Sequence, residues 1–325
     1  MTQPATPPQG HDVRDALVSL HSEIAKAVVG QEGALTGLII ALVADGHVLL
    51  EGVPGVAKTL LVRTLARCVD LEMTRVQFTP DLMPADITGS LVWDNGMSEF
   101  EFRPGPIFTN LLLADEINRT PPKTQSALLE AMEEHQVSVD GQTRPLASPF
   151  MVIATQNPVE YEGTYPLPEA QLDRFLLKID LELPSRDEEF NILLRHQNGF
   201  NPRDLSSADL HPVANAADIL AARESAARIE VSPAVLTYMV DLIRATRTSP
   251  AVRIGVSPRG ATALLRVCRV WAFLQGRSFV TPDDVKAMAH SVLTHRLSMK
   301  AEAELEGLNA HSVISSILEQ VPVPR

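Results

Sequence analysis

The residues best equipped for chemistry form one octapeptide, Gly52-Val53-Pro54-Gly55-Val56-Ala57-Lys58-Thr59. It approximates the phosphate-cradling pattern G-x-x-x-x-G-K-[ST], with Ala57 where the last glycine belongs. A glycine turn lets successive backbone N–H groups point at phosphate oxygens, and a helix opening behind it adds the positive end of its dipole. Lys58 then brings a point charge to the β- and γ-phosphates, and the Thr59 hydroxyl becomes a ligand for Mg²⁺. Ala57 is harmless with helical dihedrals; at positive φ its Cβ would cost about 1–2 kcal/mol. The plain alternative is a Gly/Pro turn that only links a strand to a helix, and Lys-Thr at the correct offset argues against it.

Downstream, Leu111-Leu112-Leu113-Ala114 runs into Asp115-Glu116. Such a pair at a strand's carboxyl end sits at the crevice where open α/β sheets bind ligands. Asp115 would hold Mg²⁺ through water and Glu116 would polarise an attacking water. Alone the signal is weak; behind a phosphate cradle it is strong. A third apolar run ends in Ala154-Thr155-Gln156-Asn157-Pro158, where the Asn157 amide can orient that water.

These groups need strands to carry them. Residues 47–50, 107–114, 150–154 and 175–183 are short apolar runs that suit parallel strands covered on both faces. Helical patterns alternate with them, over 58–69 and 123–134. The fold class is therefore α/β, a layered domain with a parallel sheet. Asn95-Gly96 and Asp140-Gly141 each sit between strand-like segments and read as hairpins. Beyond residue 203 everything reads helical, with Ser232-Pro233, Ser257-Pro258 and Thr281-Pro282 each placing a cap before proline at the first helical position. The expected organisation is a proline-rich disordered tail over 1–11, an α/β nucleotide-binding domain over 12–199 with two hairpin insertions, and a helical lid over 203–325.

Composition narrows the function. Forty acidic against 28 basic residues give a net charge of −12, and aromatics are 5%, which disfavours wrapping nucleic acid or lying on anionic lipid. Two distant cysteines exclude a disulfide framework and fit a reducing compartment. No run of about 18 apolar residues predicts a membrane span. His290 and His295 read as helix-surface residues rather than a metal site, and Cys68 and Cys268 as core.

Gly-Val-Pro-Gly-Val-Ala-Lys-Thr, Leu-Leu-Ala-Asp-Glu-Ile-Asn-Arg, Ala-Thr-Gln-Asn-Pro and Glu-Gly-Thr-Tyr-Pro-Leu-Pro-Glu-Ala-Gln-Leu-Asp-Arg-Phe together resemble the MoxR-type AAA+ ATPases, over roughly Ser22 to Leu297. Ala57 for glycine resembles that family's own pattern. The resemblance implies a three-layer αβα core with a helical lid, ATP and Mg²⁺ as cofactors, and a cytoplasmic homo-hexameric ring with ATP at subunit interfaces. It makes Arg174 an arginine finger acting in a neighbour's site and Arg259 a lid residue touching the γ-phosphate in cis; Arg119 is a further candidate for an interface charge. Val28 to Gln31 would line the adenine pocket. The implied nucleotide contacts are Val29, Gly30, Gly52, Val53, Pro54, Gly55, Val56, Ala57, Lys58, Thr59 and Leu60, with Thr59 and Asp115 at the metal and Glu116, Asn157, Arg174 and Arg259 at the chemistry. The implied function is chaperone-like remodelling of a protein client, in some cases through a von Willebrand factor A-type partner. Trp93, Phe100 and Phe102 are candidates for gripping it. An ATPase subunit of a metal-chelatase-like complex is the alternative. A nucleic-acid motor is disfavoured by charge, and a nucleotide switch without turnover by the intact catalytic set.

Overall fold

The computed structural model describes residues 12–96, 98–158 and 163–324; the expected tail over 1–11 lies outside them. Helices α1 (Val13–Ile24) and α2 (Glu32–Val43) lead into strand β1 (Val48–Glu51) and helix α3 (Lys58–Cys68). Then come β2 (Met73–Gln77), α4 (Pro84–Thr88), the pair β3 (Gly89–Asp94) and β4 (Glu99–Pro104), β5 (Leu111–Asp115) and α5 (Pro122–Glu134). A second pair, β6 (Gln136–Val139) and β7 (Gln142–Pro145), precedes β8 (Met151–Gln156), α6 (Glu169–Leu172), β9 (Leu177–Asp180) and α7 (Arg186–Gln197).

Five strands form one parallel sheet in the order β2-β5-β8-β1-β9. Its middle strands are apolar throughout because helices cover both faces: Leu111 and Leu113 belong to one core, Leu112 and Ala114 to the other. All carboxyl ends therefore lie along one edge of the sheet and all amino ends along the other.

The strand starting at Ile107 begins only at Leu111, because 106–110 is taken up by turns. β2 carries no apolar run. It is an edge strand, half exposed, with polar Arg75 and Gln77 alternating around Val76. The second hairpin has a two-residue turn with positive φ at both Asp140 and Gly141, the geometry those residues favour. The first closes over a longer loop, Asp94 pairing Glu99.

The chain then turns helical: α8 (Ala216–Ala227), α9 (Pro233–Thr248), the short strand β10 (Val252–Ile254), α10 (Pro258–Leu274), α11 (Pro282–Leu293), β11 (Ser298–Met299), α12 (Ala301–Leu305) and α13 (Ala310–Gln320). Ser232, Ser257 and Thr281 cap α9, α10 and α11 by accepting from N–H groups three residues on. Cys68 and Cys268 are buried. His295 departs from its expected surface place. It is buried, with Nε2 3.0 Å from the Phe175 carbonyl, because the chain after α11 tucks in against the start of β9. His290 stacks on His311.

Candidate functional site

β1 fixes where the cradle begins. Val48, Leu49 and Leu50 are buried, so the strand cannot shift, and its carboxyl end delivers Gly52. A Cβ there would stand 2.9 Å from the Leu181 carbonyl oxygen, a backbone contact that cannot yield. Gly55 is required by conformation, with φ of +92°. Ala57 is left-handed, at φ 63° and ψ 22°, so its methyl costs about 1–2 kcal/mol.

α3 opens without a side-chain cap and without an acidic residue in its first turn. The N–H groups of Lys58, Thr59 and Leu60 therefore have no intrahelical acceptor, and the positive end of the dipole is unneutralised. Lys58 Nζ donates to the carbonyls of Gly52 and Gln156. Burial pulls its pKa down, opposed by Asp115, Glu116 and Glu51.

Asp115 closes β5, and Glu116 turns off it at φ 58°. Thr155 on neighbouring β8 ties the two together: its hydroxyl donates to Asp115 Oδ1 and accepts the Glu116 N–H at 2.9 Å. Two β2 residues complete the hold. Arg75 Nη2 reaches Asp115 Oδ2 at 2.7 Å, and Gln77 Nε2 donates to Glu116 Oε2 at 2.8 Å. Arg119 stands 3.3 Å from that same oxygen of its own chain. Arg75 and Gln77 were missed with their strand; the signal available was their alternation about Val76, directly before buried Phe78.

Pro54, Gly55, Ala57, Lys58, Thr59 and Leu60 enclose a cavity of about 330 Å³ with Asp115, Glu116, Thr155 and buried Asn157. A carboxylate and a hydroxyl facing one cavity are hard oxygen donors of the kind Mg²⁺ takes, so Asp115 and Thr59 fit that ion. A second cavity of about 270 Å³ shares Gly55, Ala57 and Leu60 and has an apolar wall including Val29, Ile192 and Phe200. Gly30 is not on that wall: it backs onto Glu188, whose carboxylate a Cβ would meet at 2.6 Å. Val53 and Val56 pack on the core instead of lining either cavity.

Arg174 and Arg259 are elsewhere. Arg174 Nε lies 3.2 Å from Glu133 Oε2, and Arg259 Nη1 lies 2.9 Å from Glu133 Oε1. Both line a small cavity of about 150 Å³ with Asp45, Gly46 and His47. Those three residues precede β1, whereas the cradle follows it. The two sites thus sit at opposite edges of the sheet, separated by a four-residue strand, roughly 13 Å at the usual rise. Arg259, expected beside the γ-phosphate in cis, stands at the amino edge with the lid helix that carries it. Asp173 likewise pairs not with Arg174 but with buried Arg296, at 2.7 Å. Arg296 also donates to the carbonyls of Asp173, Phe175, Leu176 and Val292. Ser257, the α10 cap, donates to the other Asp173 oxygen at 3.0 Å. The segment bearing Arg174 and the helix bearing Arg259 are locked into one joint.

Two family patterns match the chain: the ATPase family associated with various cellular activities (AAA) over residues 47–177, and the AAA lid domain over 244–317. The chain is 43% identical to the protein named Chaperone MoxR1 of Mycobacterium tuberculosis, across 93% of this chain and 81% of that one. It is 35% identical to Protein MoxR of Methylorubrum extorquens across 96% of each. A crystal structure from Cytophaga hutchinsonii, of a protein assigned as an ATPase, superposes with a TM-score of 0.88 at 40% identity and 96% coverage of both chains. With a phosphate cradle, a carboxylate pair and a helical lid already in place, these likenesses show the family: the chain is a MoxR-type AAA ATPase.

Proposed function

We propose that this ATPase converts ATP to ADP and phosphate with Mg²⁺, within a homo-hexameric ring, and uses the cycle to remodel a protein client. One observation carries the reading. The cradle and both carboxylates converge on one cavity, while the arginines that would complete it sit at the opposite edge of the sheet. A subunit built this way borrows its arginines from a neighbour, and the neighbour from the next, which closes into a ring.

In this reading the triphosphate lies along the free N–H groups of the cradle, with Lys58 on its β- and γ-phosphates. Adenine fills the apolar slot beside Val29 and Leu60. Thr59 and Asp115 would hold Mg²⁺, which when bound neutralises charge across the phosphates. Gln77 and Arg119 position Glu116, and Glu116 polarises a water that Asn157 orients. The water oxygen attacks the γ-phosphorus and gives a proton to Glu116, the bond to the β,γ-bridging oxygen breaks, and ADP leaves with that electron pair. Arg174 of the neighbour meets the charge that develops. Arg259 shares its carboxylate and arrives with it, so its contact also belongs in trans.

The first hairpin offers the client a grip. Trp93 and Phe100 meet edge to face at 5.1 Å, yet are 48% and 64% exposed. Phe102 is different: the Arg144 guanidinium covers its ring and Phe108 packs beside it. The Trp93–Phe100 pair therefore serves as the contact, with the client directly or with a von Willebrand factor A-type partner. An ATP-driven remodeller works where ATP is held, which makes the cytoplasm its place.

The test is a mixture. Arg174→Ala and Glu116→Gln should each lose turnover on the order of a hundredfold, the scale of one lost transition-state contact. Mixed, they should regain part of it, because some interfaces then pair an intact Glu116 with an intact Arg174. No recovery at any ratio refutes the trans arrangement.

A further inference from the structure

Two charges in this protein are placed against their local helix fields. Glu133 lies in the last turn of α5, among Glu130 and Glu134, where no basic residue offsets the negative end of the dipole. Arg259 lies in the first turn of α10, where no acidic residue offsets the positive end. Each choice costs something locally, and sequences break local rules mainly where another demand overrides them. Here the two misplaced charges meet each other. Glu133 spends one carboxylate oxygen on Arg259 and the other on Arg174.

One carboxylate between two guanidinium groups leaves an excess of positive charge. It also prevents the two cations from driving each other apart, since both touch it within about hydrogen-bond distance. The backbone joint behind them, through Asp173, Ser257 and Arg296, fixes where the two side chains start. Among the described residues, Glu133 is the salt-bridge partner of both tips. The tips are partly exposed, 29% for Arg174 and 44% for Arg259, so without that anchor they would sample open solvent.

We infer that Glu133 is a positioning residue for the reaction: it gathers Arg174 and Arg259 into one preformed clamp aimed at an anionic phosphoryl group. This rests on the reading that both arginines act in a neighbour's site, and it assigns Glu133 to the donating side of the interface. It touches no reactant itself. Before the clamp engages, its carboxylate occupies the arginines that a γ-phosphate later claims.

Steady-state ATP turnover by the full chain, and by mixed assemblies, tests it. Glu133→Ala should lower kcat on the order of tenfold, within the range that a misplaced contact group costs, and leave KM for ATP within about twofold. Glu133→Gln, which keeps the shape and one acceptor oxygen, should fall between Ala and the parent and covers the case in which Ala fails to fold. Mixed with Glu116→Gln, the Glu133 variant should regain turnover; mixed with Arg174→Ala it should not, since both defects lie on the same side. Adding Glu133→Ala to Arg174→Ala should cost little more than Arg174→Ala alone. Parent-like kcat in both Glu133 variants overturns the inference, as does recovery with Arg174→Ala. If Arg174→Ala complements Glu116→Gln and the Glu133 variants do not, the trans reading stands and the role of Glu133 falls. If Arg174→Ala does not complement either, both fall together.

Discussion

The two edges of the central sheet are built by different means. The carboxyl edge is made of chain-local parts: each strand ends, and within a few residues its functional group stands in place, Lys58 after β1, Asp115 and Glu116 at β5, Asn157 after β8. The first N–H groups of α3 stand there without an intrahelical acceptor. The amino edge is made of charges brought from far apart in sequence, Glu133, Arg174, Arg259 and Arg296, held by salt bridges within the group, by Asp173 and by carbonyl oxygens. The first edge holds its cations, Lys58, Arg75 and Arg119, close to the carboxylates of its own strands. The second holds two guanidinium groups on one carboxylate.

If the edges are separable, their lesions must be separable, and the largest difference should appear in nucleotide affinity. Lys58→Ala removes the ammonium from the cradle and should weaken binding of a fluorescent ATP analogue on the order of a hundredfold or more, the worth of about two charge-assisted hydrogen bonds. Arg174→Ala should leave that affinity within about twofold in the isolated subunit while abolishing most turnover. Equal loss of affinity in both variants would mean that the amino edge touches its own chain's nucleotide, and the contrast drawn between the edges would be wrong.

A smaller effect should follow from loosening the joint behind the arginines. Arg296 is buried, with burial pulling its pKa down to about 10 and Asp173 opposing. Arg296→Met keeps the volume but takes the ion pair from Asp173 and a donor from the carbonyls of Asp173, Leu176 and Val292, while Phe175 keeps His295. Breaking a buried pair by removing one partner costs about 3–5 kcal/mol; Ser257 still donates to Asp173, so about 3 kcal/mol is expected. The melting temperature should fall accordingly. Nucleotide affinity below that temperature should hold, since nothing at the cradle is touched. Loss of affinity in a folded Arg296→Met protein would show that the edges communicate.

The same division explains what could be read from the sequence. Cradle, carboxylates, Asn157 and the capped helices after Pro233 are contiguous patterns, and contiguous patterns survive in a linear text. β2 did not, because this edge strand gives only Met73 and Val76 to the two cores and leaves Arg75 and Gln77 to the site. Glu133 did not either: it reads as one more solvated carboxylate in an acidic helix end. Arg259 was recognisable as a misplaced cation, but its partner, and so the edge of the sheet it serves, is decided by how the lid docks. No local pattern encodes that. His295 reads as helix surface only if the helix continues; the chain instead leaves the helix at Leu293 and buries the ring.

The smallest predicted effect concerns Ala57. Between Gly52 and Thr59 it is the one non-glycine residue with a left-handed backbone, and Gly55 shows what an unstrained choice looks like two positions earlier. Ala57→Gly should remove about 1–2 kcal/mol of strain and return about 0.5–1 kcal/mol through the freer unfolded chain. The net gain is of the order of half to one kcal/mol, a rise in melting temperature of about 1–2 °C for a chain of this size. Affinity for the ATP analogue should not change, because the N–H groups that hold phosphate keep their directions. The alanine methyl, however, borders both the phosphate cavity and the apolar slot. A variant that melts higher yet binds adenine nucleotides more weakly, with inorganic triphosphate unaffected, would assign that methyl to the base and explain why an alanine is kept where a glycine would sit more easily.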